Sequence, residues 1–171
     1  TKAGGYFSAG IVQDGKHVDG IGGGLSQMAT TTYNAGFFAG LDDVEHRQHS
    51  YWFTRYPAGR EATIFVGSID MKFKNDTPYG VLMQSWVGGG ELHVAIWSTK
   101  YYEVQTSEGE KRNVVQPTTV THSGADCVPQ PKGNPGFTIT TPRKVLLDGK
   151  VVKDEKNTWT YKPDNQVVCA P

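Results

Sequence analysis

The sequence predicts an α+β fold in which one main helix packs on a predominantly antiparallel β-sheet, followed by a small β-hairpin extension at the C-terminus. Three observations lead to this prediction. Residues 26–39 form the one convincing helical segment, with apolar side chains on one face and polar side chains on another. Strand-forming runs bounded by glycine, proline and asparagine turns fill most of the remaining chain. The 171 residues are enough to bury a sizeable hydrophobic core.

The helix predicted at 26–39 has Met28, Ala29, Tyr33 and Phe37 among its apolar residues, and Gly40 is placed to end it. Its three consecutive threonines have low helix propensity. We therefore expect this helix to depend on burial for its stability.

The predicted strands alternate apolar and polar residues or are rich in β-branched and aromatic ones. They cover 6–12, 17–21, 42–56, 61–66, 69–74, 81–87, 91–99, 101–106, 137–147, 151–161 and 167–169. Tight turns are predicted at 14–16, 56–60, 75–80, 88–90 and 148–150.

The composition changes along the chain and predicts three regions: a main domain at 1–114, a linker or irregular segment at 115–135, and a β-rich extension at 136–171. Both cysteines, Cys127 and Cys169, lie in the C-terminal part of the chain. In a secreted protein they would form one disulfide that fixes the tail. Closing that loop would stabilise the fold by roughly 3–4 kcal/mol. In a cytosolic protein they would be two reduced, unrelated thiols.

The charge balance argues against several partners. Seventeen basic and seventeen acidic residues give no net charge, so neither a nucleic acid nor an anionic membrane is expected as the main partner. The sequence contains no stretch of 18 apolar residues, so no transmembrane segment is predicted. The chain begins without Met or a signal peptide, which suggests a processed or cloned fragment. No cofactor and no metal are predicted.

The candidate site lies where three glycines, Gly22, Gly23 and Gly24, lead into the helix. Glycines allow close approach of the backbone to a ligand, and free N–H groups at a helix N-terminus attract anions. Ser26 stands at the first turn, where a nucleophile is also often placed. Gln27 and Thr30 follow on the helix and are predicted to share in binding.

These motifs resemble the VanW domain, whose hallmark is a glycine triplet, Cys or Ser, Gln, a Ser/Thr-Thr run and then Tyr/Phe-Asn-Ala. The resemblance covers 22–35, 39–41, 46–50, 55–63 and 70–77 in order, and extends over roughly residues 4–100. Residues 136–161 are similar to a β-rich extension seen on actinobacterial members. The family is named for an accessory protein of vancomycin-resistance gene clusters. Its members are largely extracellular and often accompany domains assigned to peptidoglycan binding.

The resemblance also suggests a catalytic hypothesis. Many members have Cys at the position of Ser26, and the order Ser26, His49, Glu61 is that of papain-like and transglutaminase-like enzymes. In such a site the His accepts the proton of the nucleophile and the carboxylate fixes the His tautomer. Three simpler interpretations stay open: Ser26 as the helix N-cap, His49 bonded to backbone, and Glu61 paired with Arg55 or Arg60.

Two other groups of side chains are candidates for binding. Arg55, Tyr56 and Arg60 could clamp a carboxylate or a phosphate. His46 and His49 could bind a metal with Glu45 or Asp43, but residues three apart on one strand face opposite sides, which argues against it.

The sequence therefore favours an extracytoplasmic, cell-envelope accessory module that binds peptidoglycan or its stem peptide. Its groove would be formed by the glycine loop, the helix N-terminus and the segment of His49. The alternative is an acyl-transfer hydrolase or transpeptidase that uses Ser26, His49 and Glu61 on peptidoglycan amides. A purely structural extracellular module is the third interpretation, and the balance of the three leans away from an enzyme.

Overall fold

The computed structural model describes residues 2–13, 16–22 and 24–170. Within them there is one α-helix and the strands are mostly antiparallel, so the predicted α+β class is confirmed. After a 3₁₀ turn at Lys2–Gly4, the elements are β1 (Ser8–Gln13), β2 (Lys16–Ile21), α1 (Leu25–Phe38), β3 (Asp42–Glu45), β4 (Lys72–Lys74), β5 (Leu82–Gly88), β6 (Glu91–Trp97), β7 (Glu103–Thr106), β8 (Arg112–Val115), β9 (Thr119–Ser123), β10 (Gly136–Leu147), β11 (Lys150–Tyr161) and β12 (Gln166–Ala170).

The strands form several small sheets and one larger one. β1–β2, β3–β4 and β5–β6 are antiparallel pairs. In the larger sheet β10 is central, with β11 on one side and both β7 and β8 on the other. The pair β9–β12 is the parallel exception. The long hairpin β10–β11 therefore shares its sheet with strands from the preceding part of the chain.

The core has two clusters. In the first, Ala29, Tyr33 and Phe37 of α1 pack with Ala62, which is fully buried. The second cluster joins Phe137 and Ile139 of β10 to Tyr161 at the end of β11. Burial of one helix face against chain segments provides the support that the threonine-rich sequence of α1 needs.

The two ends of α1 differ from each other in how well the sequence predicted them. The helix begins after Gly24, which is the N-cap in a left-handed conformation with φ of 88° and no side-chain cap. Ser26 is therefore not the N-cap. At the other end Ala39 is the C-cap, and Gly40 follows with φ of 80°, as predicted. A Cβ at Gly40 would lie 2.7 Å from Cβ of Tyr102, so close packing also requires glycine there.

Three predicted strands between the helix and residue 74 are wrong in extent. The strand predicted at 42–56 ends at Glu45, and the one at 69–74 is reduced to Lys72–Lys74. Residues 61–66 form no ladder, and only an isolated bridge joins Phe65 to Ile69. The physical reason is that helix side chains, rather than a neighbouring strand, satisfy this backbone. Asn34 donates to the carbonyl of Arg60, and Thr30 bonds both backbone groups of Ala62.

The later part of the chain follows the prediction more closely. The hairpins β5–β6 and β10–β11 and the closing strand β12 are present, and Cys127 and Cys169 form a disulfide. The segment predicted to be irregular contains β9, which pairs with β12. Of the predicted turn at 14–16, residues 14 and 15 lie outside the described residues. No helix in the described part of the chain is long and apolar enough to cross a membrane.

Candidate functional site

The loop between β3 and β4 brings His49 and Glu61 together. Nδ1 of His49 lies 2.8 Å from Oε2 of Glu61, whose side chain is completely buried. When Glu61 is ionised and the imidazole is neutral, Nδ1 donates this hydrogen bond and Nε2 is left as the acceptor. Nε2 has no hydrogen-bond partner among the described residues, and the His49 side chain is 11% exposed. This geometry orients the imidazole for acid–base chemistry.

Aromatic side chains hold the His49 ring in place. The ring of Tyr56 is stacked on it with centroids 5.6 Å apart, and Phe53 meets it edge-on at 5.3 Å. The backbone carbonyl of His49 accepts a hydrogen bond from Nε1 of Trp159 on β11. The hairpin β10–β11 therefore helps to fix the position of the imidazole.

The carboxyl group of Glu61 influences the electrostatics of its surroundings. Its second oxygen, Oε1, has no hydrogen-bond partner among the described residues. Burial raises the pKa of Tyr161 far above its usual value, and the nearby charge of Glu61 adds to the rise. Burial also raises the pKa of Tyr56, where Arg55 opposes the shift and Glu61 adds to it. Both phenols therefore stay neutral beside the carboxylate at neutral pH.

Ser26 is not part of the same hydrogen-bonded group. Its Oγ lies 3.3 Å from Oγ1 of Thr63, and within the described structure no hydrogen bond joins it to His49. The structure thus forms the His49–Glu61 contact of the catalytic hypothesis, whereas Ser26 contacts a threonine that the sequence did not single out. The order of nucleophile, histidine and carboxylate along the chain assigns no role to Thr63, so there was no reason to select it from the sequence.

The other residues predicted at the helix start have structural contacts. The Thr30 hydroxyl donates to the carbonyl of Ala62 and accepts from its N–H, and Thr30 is only 4% exposed. The carbonyl of Gln27 accepts the Thr31 hydroxyl, while the Gln27 residue is exposed. Gly22 accepts from the N–H of Leu25. Gly23 lies outside the described residues. Ligand binding by these residues stays a prediction.

The two candidate arginines lie against aromatic rings. The guanidinium of Arg60 is 5.2 Å from the ring centroid of Phe38, and that of Arg55 is 5.7 Å from Phe53. Neither arginine forms an ion pair with a carboxylate in the described part of the chain, so the proposed pairing of Glu61 with either is not seen. Each guanidinium therefore keeps its bidentate face available for an anion.

Tyr56 and Arg60 also line a pocket of about 230 Å³. Its walls come from the loop before Glu61, the β7–β8 connection and β10. They are Trp52, Tyr56, Pro57, Ala58 and Arg60 from the loop, Ser107, Glu108, Gly109 and Lys111 from the connection, and Ile139 and Thr141 from β10. The sequence had not identified the second and third groups, because they carry no motif and lie far from the loop along the chain.

The histidine pair predicted as a possible metal site is separated by its partners. Nδ1 of His46 lies 2.6 Å from Asp43, and Nε2 lies 3.3 Å from Nδ2 of Asn157. His49 instead pairs with Glu61. Among the described residues no group of three or more His, Cys, Asp or Glu side chains could hold a metal ion. The two histidines follow β3 in a loop, so the argument from alternating strand faces does not apply.

Comparison with known proteins assigns the chain to a family. The family described as "VanW like protein" matches residues 1–97, which is more than half of the chain. This chain belongs to the VanW family. A VanW-like relative in Bacillus subtilis (strain 168), described as "Uncharacterized protein YoaR", is 33% identical over 99 residues. The alignment covers 58% of this chain and 33% of that protein, so the chain spans about a third of the relative's length. No solved structure matches the chain significantly.

The VanW region contains His49, Glu61, Ser26 and the loop side of the pocket. The β7–β8 connection and β10, which complete the pocket, lie beyond residue 97 and outside the family match. The pocket is therefore assembled from the VanW region and from the part of the chain that follows it.

Proposed function

We propose that this VanW domain is an extracytoplasmic cell-envelope accessory module that binds peptidoglycan or its stem peptide. Membership of the VanW family supports a cell-wall-associated accessory role. The disulfide between Cys127 and Cys169 supports an oxidising compartment, because disulfides are rare in the cytosol. We retain as part of the proposal a main domain at 1–114, an intervening segment at 115–135, and a C-terminal hairpin extension at 136–171.

The observation that carries this proposal is the pocket beside the His49 loop. Tyr56 and Arg60 were both predicted to bind, and both line it. The guanidinium of Arg60 has no carboxylate partner among the described residues. Stem peptides carry carboxylates, and arginine binds a carboxylate with two parallel hydrogen bonds. A polymer rich in such groups is therefore a suitable ligand for this surface.

Retention on purified, insoluble peptidoglycan tests the proposal. The wild-type protein is expected to sediment with the polymer, and Arg60→Gln is expected to sediment less because the cationic fork is removed. Arg47→Gln is the matched control, since Arg47 is exposed and only its backbone carbonyl has a described contact. Absence of wild-type protein from the pellet would contradict the proposal.

A second candidate function is acyl transfer on the same polymer. The His49–Glu61 pair favours it, because a histidine oriented by a buried carboxylate is a competent general base. Ser26 would have to come within hydrogen-bonding distance of Nε2 when substrate binds, since catalytic hydrogen bonds often tighten only in the complex. A serine nucleophile requires that contact because its free hydroxyl is a weak nucleophile.

Release of soluble fragments from peptidoglycan distinguishes this candidate from binding alone. If acyl transfer occurs, fragments appear with the wild-type protein and are lost in both Ser26→Ala and His49→Gln. Thr31→Ala is the control on the same helix, because its hydroxyl bonds only the carbonyl of Gln27. Retention without fragments favours the binding module. Neither retention nor fragments favours the third interpretation, a structural module.

A further inference from the structure

The pocket shared by the VanW region and β10 contains a second unpaired cation, Lys111. Its Nζ lies 3.6 Å from the ring centroid of Trp52 and 4.5 Å from that of Phe137. No carboxylate in the described part of the chain pairs with it. The two rings hold the ammonium at the pocket wall through cation–π attraction, although an exposed lysine would otherwise extend into water.

The charges that line this pocket do not cancel. Lys111 and Arg60 are cationic and Glu108 is anionic, and none of the three forms an ion pair among the described residues. The excess positive charge favours an anionic ligand.

The size of the pocket limits that ligand. A volume of about 230 Å³ is the space of roughly eight water molecules. It lies below the range of about 300–1,000 Å³ found for drug-sized ligands. A carboxylate and one or two small residues would fit in that volume. The aromatic wall formed by Trp52 and Tyr56 offers apolar contact for small aliphatic side chains.

We propose that this pocket binds the C-terminal carboxylate of a short peptide with small side chains, and that Lys111 and Arg60 are the residues that recognise the carboxylate. The inference rests on the proposed function, because it identifies the part of the polymer that the domain contacts. It also assigns recognition partly to Lys111, which lies outside the family match at 1–97. Members of the family without an equivalent β7–β8 connection would then lack this specificity.

Binding of a defined probe tests the proposal. N-acetyl-alanyl-alanine, in its L,L and D,D forms, is titrated into the protein beside the corresponding C-terminal amides. Calorimetry gives the affinity, and the indole N–H resonance of Trp52 reports the location, since Nε1 donates to the carbonyl of Tyr56. At least one acid is expected to bind and to shift the Trp52 signal. The affinity for the corresponding amide is expected to be lower by a factor of about ten or more, because the charged hydrogen bonds are lost.

Variants test the role assigned to Lys111. Lys111→Met keeps an apolar stem on Trp52 but removes the charge, and it is expected to weaken acid binding about tenfold. Lys100→Met is the matched control, because Lys100 is exposed and has no described side-chain partner. Glu108→Gln removes a carboxylate from the same pocket and is expected to leave affinity for the acetylated probe equal or higher. An unchanged urea midpoint of Lys111→Met, measured without probe, confirms that the fold is intact. The Trp52 signal does not serve for this, because it responds itself to removal of the ammonium.

The outcomes separate this inference from the proposed function. Equal binding of acid and amide, or of wild type and Lys111→Met, overturns the carboxylate assignment. Failure of both acids to bind also overturns it, and the proposed function still stands if the protein sediments with peptidoglycan. Specific binding of an acid without sedimentation supports the pocket and contradicts binding to the polymer.

Discussion

Arg143 on β10 is the buried cation that joins the larger sheet to the helix. Its guanidinium donates to the carbonyls of Phe37 and Leu41 and to the carboxylate of Glu155, and the residue is 3% exposed. Carbonyl groups at a helix C-terminus lack intrahelical partners and carry partial negative charge. Arg143 therefore adds charged donors to the end of α1, where backbone N–H groups of the next residues also bond, and it fixes the hairpin against the helix.

Removing that guanidinium is expected to be strongly destabilising. Arg143→Met leaves the buried carbonyl of Leu41 without a donor and removes the charged donors of the Phe37 carbonyl, which keeps only the N–H of Gly40. We expect a loss of about 3 kcal/mol in the free energy of unfolding. Urea denaturation measures it. Lys144→Met on the same strand is the control, because Lys144 is exposed and has no described partner. Similar losses for both variants would show that the Arg143 contacts contribute little.

At the residue scale, the catalytic hypothesis drawn from the family resemblance paired His49 with Glu61, and the structure forms that contact. The other interpretation, in which Glu61 pairs with either candidate arginine, is not seen among the described residues. The contact of Ser26 with Thr63 and the ring contacts of Lys111 could not be predicted. They depend on how an irregular loop and a distant strand approach each other, and hydrophobic periodicity contains no information on that.

At the scale of elements, the threonine run of α1 explains why residues 61–66 are not a strand. Apolar alternation predicted a ladder there, but the Thr30 hydroxyl bonds both backbone groups of Ala62. A side chain on a helix thus replaces a neighbouring strand as the partner of an extended segment. Hairpins such as β5–β6 were predicted correctly because their pairing is local and a glycine turn sets their register.

The bonds from the Thr30 hydroxyl to the backbone of Ala62 predict different effects of substituting two adjacent threonines. Thr30→Val keeps the shape of the side chain but leaves the N–H and carbonyl of Ala62 without partners, so we expect a loss of about 2 kcal/mol in stability. Thr31→Val removes only an exposed bond to the carbonyl of Gln27, and its effect is expected within about 0.5 kcal/mol. Thermal or urea unfolding of the two variants compares them. Equal effects would mean that the bonds to Ala62 do not stabilise the fold.

At the scale of the whole molecule, Lys153 connects three parts of the chain. Its ammonium on β11 bonds the carboxylate of Asp42 at the start of β3 and the carbonyl of Gly40. It also lies 2.7 Å from Oδ2 of Asp76, in the turn after β4. Burial alone would raise the pKa of Asp76. The ammonium of Lys153 and the hydroxyl of Tyr102 outweigh burial and hold that pKa below its usual value.

The lowered pKa of Asp76 predicts part of the acid sensitivity of the fold. Its stabilising contribution is fully present above the unfolded-state pKa of about 4 and is lost as the pH falls through the lower folded-state value. Asp76→Asn should therefore be less stable than wild type at pH 7. Between pH 7 and pH 3 the variant should lose less stability than wild type does. Urea unfolding at both pH values measures this. Asp154→Asn, an exposed neighbour of Lys153 with no described partner, should keep the wild-type dependence on pH.

The disulfide stabilises a different part of the molecule from the helix and the long hairpin. Cys127 and Cys169 are 42 residues apart, and a cross-link of that span contributes about 4 kcal/mol by restricting the unfolded chain. The strands that it secures, β9 and β12, contribute no residue to either core cluster. We therefore expect the double variant Cys127→Ser, Cys169→Ser to lose order locally before it unfolds as a whole.

Hydrogen exchange resolved along the chain tests that expectation. Amides of β9 and β12 should exchange faster in the double variant, because their parallel pairing then depends on a few hydrogen bonds at the periphery. Amides of α1 and β10 should keep most of their protection, since Arg143 and the two core clusters hold them together. Reduction of the wild-type protein by dithiothreitol should reproduce the pattern without any substitution. Uniform loss of protection over α1, β10 and β12 would instead mean that the cross-link stabilises one cooperative unit.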